Sequence, residues 1–294
     1  MEKIKNVIRQ GKILISDGAW GTFLQAKGLK AGECPELWNV DQPEKVFEIA
    51  QSYITAGANM VETNSFGGSS IKLAHYGLDE RAFELNKAAA EISRKAAGKE
   101  HYVLGSIGPT GKILMMGEVT TEGLYESFKI QATALEEGGA DAIIIETMSD
   151  IEEAKQAIKA ASDHTDLEII CTMTFEKTKT GEFRTMMGIS PADMIKDLTQ
   201  EGVDIFGANC GNGIKDMIGI VKEIRSVDKN TGILIHANAG IPIYEDGKTI
   251  FPETPEEMAS SIKEIVNAGA NIIGGCCGTT PDHISQIKNA IKSN

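Results

Sequence analysis

Gly-Gly-Ala-Asp-Ala-Ile-Ile-Ile-Glu, residues 138–146, decides the fold. A glycine pair suited to ending a helix leads into an apolar run that closes on a carboxylate. The run shows no polar alternation, so it reads as a short strand buried on both faces, as in a parallel sheet. The same passage recurs as Ala-Gly-Ala-Asn-Met-Val-Glu (56–62), Glu-Gly-Val-Asp-Ile-Phe-Gly-Ala-Asn (201–209) and Ala-Gly-Ala-Asn-Ile-Ile-Gly-Gly (268–275). Four further apolar runs, 13–16, 102–106, 168–173 and 233–238, fit between these. Amphipathic helices are expected near 43–56, 80–97, 121–137, 151–162, 191–201, 213–226, 255–267 and 281–292. Pro43, Pro191, Pro255 and Pro281 stand near their starts, where a missing amide proton costs little.

Eight strands alternating with helices predict an α/β fold, a single (β/α)8 TIM barrel filling one domain, residues 1–294. A doubly wound open sheet is the alternative. It calls for a glycine-rich phosphate loop after an early strand, and neither common form of that loop occurs.

Composition narrows the function. The net charge of −13 argues against nucleic acid, whose binding needs a basic surface, and offers nothing to an anionic membrane. No apolar run approaches the roughly 20 residues of a membrane span, and the N-terminus lacks a signal-peptide core. Five cysteines are few for this length and odd in number, so a disulfide framework is not expected and a reducing cytoplasm is.

The barrel reading brings scattered polar residues together. Asp17, Glu62, Ser106, Glu146, Cys210, Asn238 and the pair Cys276-Cys277 all fall at or just after strand ends. In a barrel those positions converge on the C-terminal mouth, where active sites form. Three of them are thiols among small residues, in Gly-Ala-Asn-Cys-Gly (207–211) and Gly-Gly-Cys-Cys-Gly-Thr (274–279). Three thiolates with one exchangeable position describe a catalytic zinc site, whereas a structural site takes four protein ligands. Such a zinc ion is a weak Lewis acid, suited to holding an incoming thiol deprotonated. Space-filling cysteines are the bland alternative. Cys34 and Cys171 read as packing residues, and His75, His101, His164 and His283 as superficial. His236 reads as a hydrogen-bonded core histidine, and Asp141 and Asp204 as capping residues on the opposite rim.

These residues carry a resemblance. Asp-Gly-Ala-Trp-Gly-Thr (17–22), Glu-Thr-Asn-Ser-Phe-Gly (62–67), Gly-Ser-Ile-Gly-Pro-Thr-Gly (105–111), Glu-Thr-Met-Ser-Asp (146–150) and Asn-Ala-Gly-Ile-Pro (238–242), with the two cysteine motifs, resemble the homocysteine S-methyltransferase family from about residue 10 to 290. Gly-Pro-Thr-Gly and Met-Met-Gly bring the chain nearest the homocysteine-binding barrel of cobalamin-dependent methionine synthase.

The resemblance implies Zn2+ on Cys210, Cys276 and Cys277, with Asn238 holding the fourth position until homocysteine displaces it. It implies a substrate pocket of Asp17, Gly18, Glu62, Gly105, Ser106, Glu146 and Asn238. Glu146 meets the ammonium with Asp17 nearby, and amides around Gly105-Ser106 meet the carboxylate. The expected activity is methylation of homocysteine to methionine, the donor being methylcobalamin or another methylcorrinoid on a separate corrinoid protein or cobalamin domain. Alternatives are S-methylmethionine or another small sulfonium or ammonium donor, and a non-catalytic zinc- or thiol-binding module.

Overall fold

A computed structural model describes residues 1–245 and 248–292. Eight parallel strands form one sheet: β1 Leu14–Ile15, β2 Met60–Glu62, β3 Tyr102–Ile107, β4 Ala142–Met148, β5 Glu168–Met173, β6 Ile205–Gly213, β7 Gly232–Asn238 and β8 Ile272–Gly275. Their order is β1-β8-β7-β6-β5-β4-β3-β2. Between β2 and β1 the Asn59 amide donates to the Ile15 carbonyl at 2.7 Å, which draws the two edges together into a (β/α)8 barrel. The helices after each strand are α1 Pro43–Ala56, α2 Ala82–Ala97, α3 Thr121–Glu137, α4 Ile151–His164, α5 Pro191–Leu198, α6 Ile214–Val227, α7 Ile262–Ala268 and α8 Pro281–Lys292. A short helix, Pro255–Ser260, precedes α7, where the sequence suggested one continuous helix.

The apolar runs are continuous because both faces are buried. In β4, Ile144 joins an interior cluster with Met60, Leu104, Ile170 and Leu234. Ile143 and Ile145 belong instead to the layer between sheet and helices. The helix Ile4–Arg9 closes the base of the barrel, packing Ile4, Val7 and Ile8 on the interior cluster. Glu168 caps the start of that helix by accepting the amides of Ile4 at 2.5 Å and Lys5 at 2.9 Å.

The four echoing junctions share one device. Gly57, Gly139, Gly202 and Gly269 take φ between 87° and 115°, the left-handed turn that ends each preceding helix. The Asx residue two positions on then pairs with the preceding strand twice. Its amide donates to a strand carbonyl, and its side chain accepts that same residue's amide: Asn59 with Ile15, Asp141 with Val103, Asp204 with Ile169 and Asn271 with Ile233. Asp141 and Asp204 also pair with Arg94 and Lys5. These residues hold neighbouring strands in register at the base.

Two features lay outside the sequence reading. Antiparallel two-stranded ribbons join Glu176–Lys177 to Phe183–Arg184 and Ile243–Glu245 to Lys248–Ile250, in the loops after β5 and β7. Strand β6 also continues beyond the expected 204–209. After Asn209 pairs with His236, the next pairing is Gly213 with Asn238, so four residues of β6 pass two of β7. The extra length forms a bulge that contains Cys210.

Candidate active site

The bulge aims the first thiol. Cys210 has φ 59°, a left-handed conformation uncommon outside glycine, and Gly211 follows at 71°. At the end of β8, Cys276 and Cys277 lie with their sulfurs 4.0 Å apart. All three sulfurs are within 4.8 Å of one another. Hydrogen bonds from Cys276 and then Cys277 pull the Cys210 thiol down to about 3, against the cost of burial. The same bonds to Cys210 raise Cys276 far above the ordinary thiol range and Cys277 to about 12. Three sulfurs thus share one negative charge through two protons, and a divalent cation bound among them displaces those protons. Asn238 is hydrogen bonded to Cys210. Its Oδ1 is buried with no partner among the described residues, and the residue does not itself line the cavity beside the sulfurs. Three convergent thiols suit zinc, and the unpartnered Asn238 oxygen is a candidate for a fourth ligand.

Beside the sulfurs is a cavity of about 240 Å³, whose lining includes Glu62, Glu146, His236 and all three cysteines. Glu146 is fixed at both oxygens: Ser106 Oγ donates to Oε1 at 2.5 Å and Asn209 Nδ2 to Oε2 at 3.2 Å. Asp17, fully buried, accepts the Trp20 indole N–H at 2.9 Å and the Glu62 amide at 2.8 Å. Glu62 Oε1 lies 3.3 Å from His236 Nδ1. Burial lifts all three carboxyls above their ordinary range, those of Glu62 and Glu146 furthest, and depresses His236. Such a group of acids ionises most readily around a cation, and an ammonium group is one that fits.

The other expected residues divide. Gly18 and Ser106 line the cavity, while Asp17 lies behind its wall. Gly105 is not brought to the cavity: a side chain there would meet Leu135 and Ile143, in the layer packed against α3. The Ser106 amide donates to Thr63 Oγ1 at 2.9 Å, so it is already occupied, and the serine serves the cavity through its hydroxyl. Cys34 and Cys171 are buried and raised to about 12, chiefly by that burial, which suits packing residues. His283 departs from its superficial reading. It is buried at the start of α8, where its Nδ1 accepts the Thr280 amide.

Glu36 is a cavity residue that the sequence did not expose. Its carboxylate accepts the Gly67 amide at 2.7 Å and the Cys34 thiol at 3.3 Å, tying the loop after β1 to that after β2. It stands in a short 3-10 turn, Pro35–Leu37, within the connection from β1 to α1, with no strand end to flag it. Trp20 and Phe66 add aromatic lining.

Comparison with known proteins accords with this geometry. A solved structure, the homocysteine methyltransferase MmuM from Escherichia coli in metallated form, superposes with a TM-score of 0.79 at 24% identity, covering 97% of this chain and 98% of that one. Methionine synthase of Mycobacterium tuberculosis is 30% identical over 302 residues, covering 95% of this chain and 25% of the relative. That of Mycobacterium leprae is 30% identical, covering 95% and 24%. The chain therefore spans about a quarter of the length of these curated relatives. The family model for homocysteine S-methyltransferase matches residues 14–291, and the chain belongs to that family.

Proposed function

We propose that residues 1–294 form a homocysteine-binding barrel with a catalytic zinc site, which methylates homocysteine to methionine. The observation that carries this reading is the meeting in one cavity of three convergent thiols with a buried group of carboxyls. Cys210, Cys276 and Cys277 would hold the ion, with Asn238 as the exchangeable fourth ligand. Zinc bound there keeps a substrate thiol ionised at neutral pH, where a free thiol is only a few per cent thiolate.

The protein's own residues orient the substrate. Glu146, held by Ser106 and Asn209, accepts from the ammonium group, with Glu62 and Asp17 supplying further negative charge. Trp20 and Phe66 supply apolar surface to the same cavity. The substrate thiolate attacks an electrophilic methyl group in line. A sulfur–carbon bond forms, and the donor departs with the electron pair of the bond that breaks.

The donor we favour is a methylcorrinoid presented by another protein or domain, supported by the similarity to much longer proteins named methionine synthase. A second reading rests on charge. Glu36, Glu62 and Glu146 line the cavity and, among the described residues, no Lys or Arg does, which favours a small sulfonium or ammonium donor. The test is to give zinc-loaded protein homocysteine with either methylcobalamin or S-methylmethionine and to measure methionine. The productive donor identifies the branch. Thiol binding without turnover from any donor leaves a non-catalytic zinc or thiol-binding module.

A further inference from the structure

Glu146 and Cys210 come from different strands, yet one side chain links the two positions. Asn209, fully buried, precedes Cys210 on β6 and does not line the cavity. Its Oδ1 accepts the Thr147 amide and the Thr172 hydroxyl, both at 2.7 Å. Its Nδ2 donates to Thr147 Oγ1 at 2.7 Å and to Glu146 Oε2 at 3.2 Å. The two acceptor and two donor positions of the carboxamide are therefore all in use. Thr147 has φ 60°, a strained conformation for a β-branched residue, and the carboxamide grips it by both backbone and side chain. The chain neighbour of the acid and the chain neighbour of the thiol are thus fastened together.

We propose that Asn209 is a positioning residue that sets the Glu146 carboxylate at a fixed offset from Cys210, so that the cavity selects thiols carrying an ammonium group at the matching distance. This deepens the proposed function and rests on its reading of homocysteine as substrate. Ser106 fixes one oxygen of Glu146 and Asn209 the other, which leaves the carboxylate a single orientation toward the substrate nitrogen. Without Asn209, the acid is held by Ser106 alone and loses its aim.

The test compares homocysteine with 4-sulfanylbutanoate, the same thiol and carboxylate lacking the amino group, by calorimetric titration of the zinc-loaded protein. Asn209→Asp keeps the acceptor for the Thr147 amide and replaces the donor to Glu146 with an oxygen. Asn209→Ala is measured in parallel, so the result does not depend on one variant folding. The expected result is a loss of about ten-fold or more in the preference for homocysteine, the scale of a hydrogen bond to a charged group. Binding of the amine-free thiol and of zinc stays unchanged. In a Glu146→Gln background the preference is already reduced, and changing Asn209 alters it no further. Equal weakening of both thiols, loss of zinc, or a retained preference overturns the role of Asn209. Wild-type protein that binds the two thiols alike defeats the homocysteine reading itself.

Discussion

Asn59 meets Ile15 twice, donating its own amide to the Ile15 carbonyl at 2.7 Å and accepting the Ile15 amide on Oδ1 at 2.9 Å. At the other three echoing junctions the same contact lies beside a regular strand ladder. Here it joins β1 to β2, between which no such ladder occurs among the described residues. Asn59→Ala should therefore lower stability by about 1–2 kcal/mol, the scale for a part-buried amide that loses its acceptor. The thermal midpoint checks this. An unchanged midpoint would show that the barrel closes without this contact.

The four junctions were legible because each repeats a local physical instruction: a glycine that ends a helix, an Asx residue, then an apolar run. The strand and helix order followed from them. The chemistry at the mouth was legible where it used rare residues, so the thiols of Cys210, Cys276 and Cys277 stood out. Asn209 stands in Gly-Ala-Asn-Cys-Gly beside a thiol, yet an asparagine in sequence reveals nothing about which four groups it will bond. Gly105 shows the opposite case. Its place at a strand end suggested the pocket, but alternation along β3 turns it toward Leu135 and leaves Ser106 facing inward. One residue of phase separates the two outcomes.

Glu36 gives a pH prediction. Burial raises its carboxyl above the ordinary range, against the amide of Gly67. A raised folded-state pKa means that the folded chain binds the proton more tightly than the unfolded chain. Its contribution is then present at low pH and is lost as pH rises from the unfolded value of about 4.3 through the folded one. Glu36→Gln cannot ionise, so its stability relative to wild type should improve as pH rises above the unfolded value of about 4.3. Thermal midpoints of the two proteins across that range decide it, and a constant difference would show that Glu36 ionises without penalty.

Cys276→Ala should abolish zinc binding and methyl transfer together, because two thiolates and an amide oxygen make a poor zinc site. Cys171→Ala, in the wall of the barrel, should retain both. Metal analysis after dialysis, alongside a methionine assay, separates these cases. Full activity in metal-free Cys276→Ala would end the zinc reading.

The glycines before the paired cysteines are needed for space. A Cβ on Gly274 would stand 2.7 Å from the Asp17 carbonyl oxygen, 2.8 Å from Ser16 Cβ and 2.8 Å from His236 Cδ2. Two of these atoms belong to the neighbouring strand end and cannot swing aside as a flexible side chain does. Gly274→Ala must displace β8 two residues before Cys276, and a cost of about 1–3 kcal/mol is the usual scale of overpacking. Zinc affinity by chelator competition should fall as well, since the thiol moves with its strand. Gly21→Ala is the control, because a Cβ there meets nothing within 4 Å and Gly21 opens the helix Gly21–Ala26. Exchanging that glycine should be neutral or stabilise by up to about 1 kcal/mol. If both variants keep wild-type zinc affinity, the approach of β8 to Asp17 and His236 does not govern where the thiolates stand.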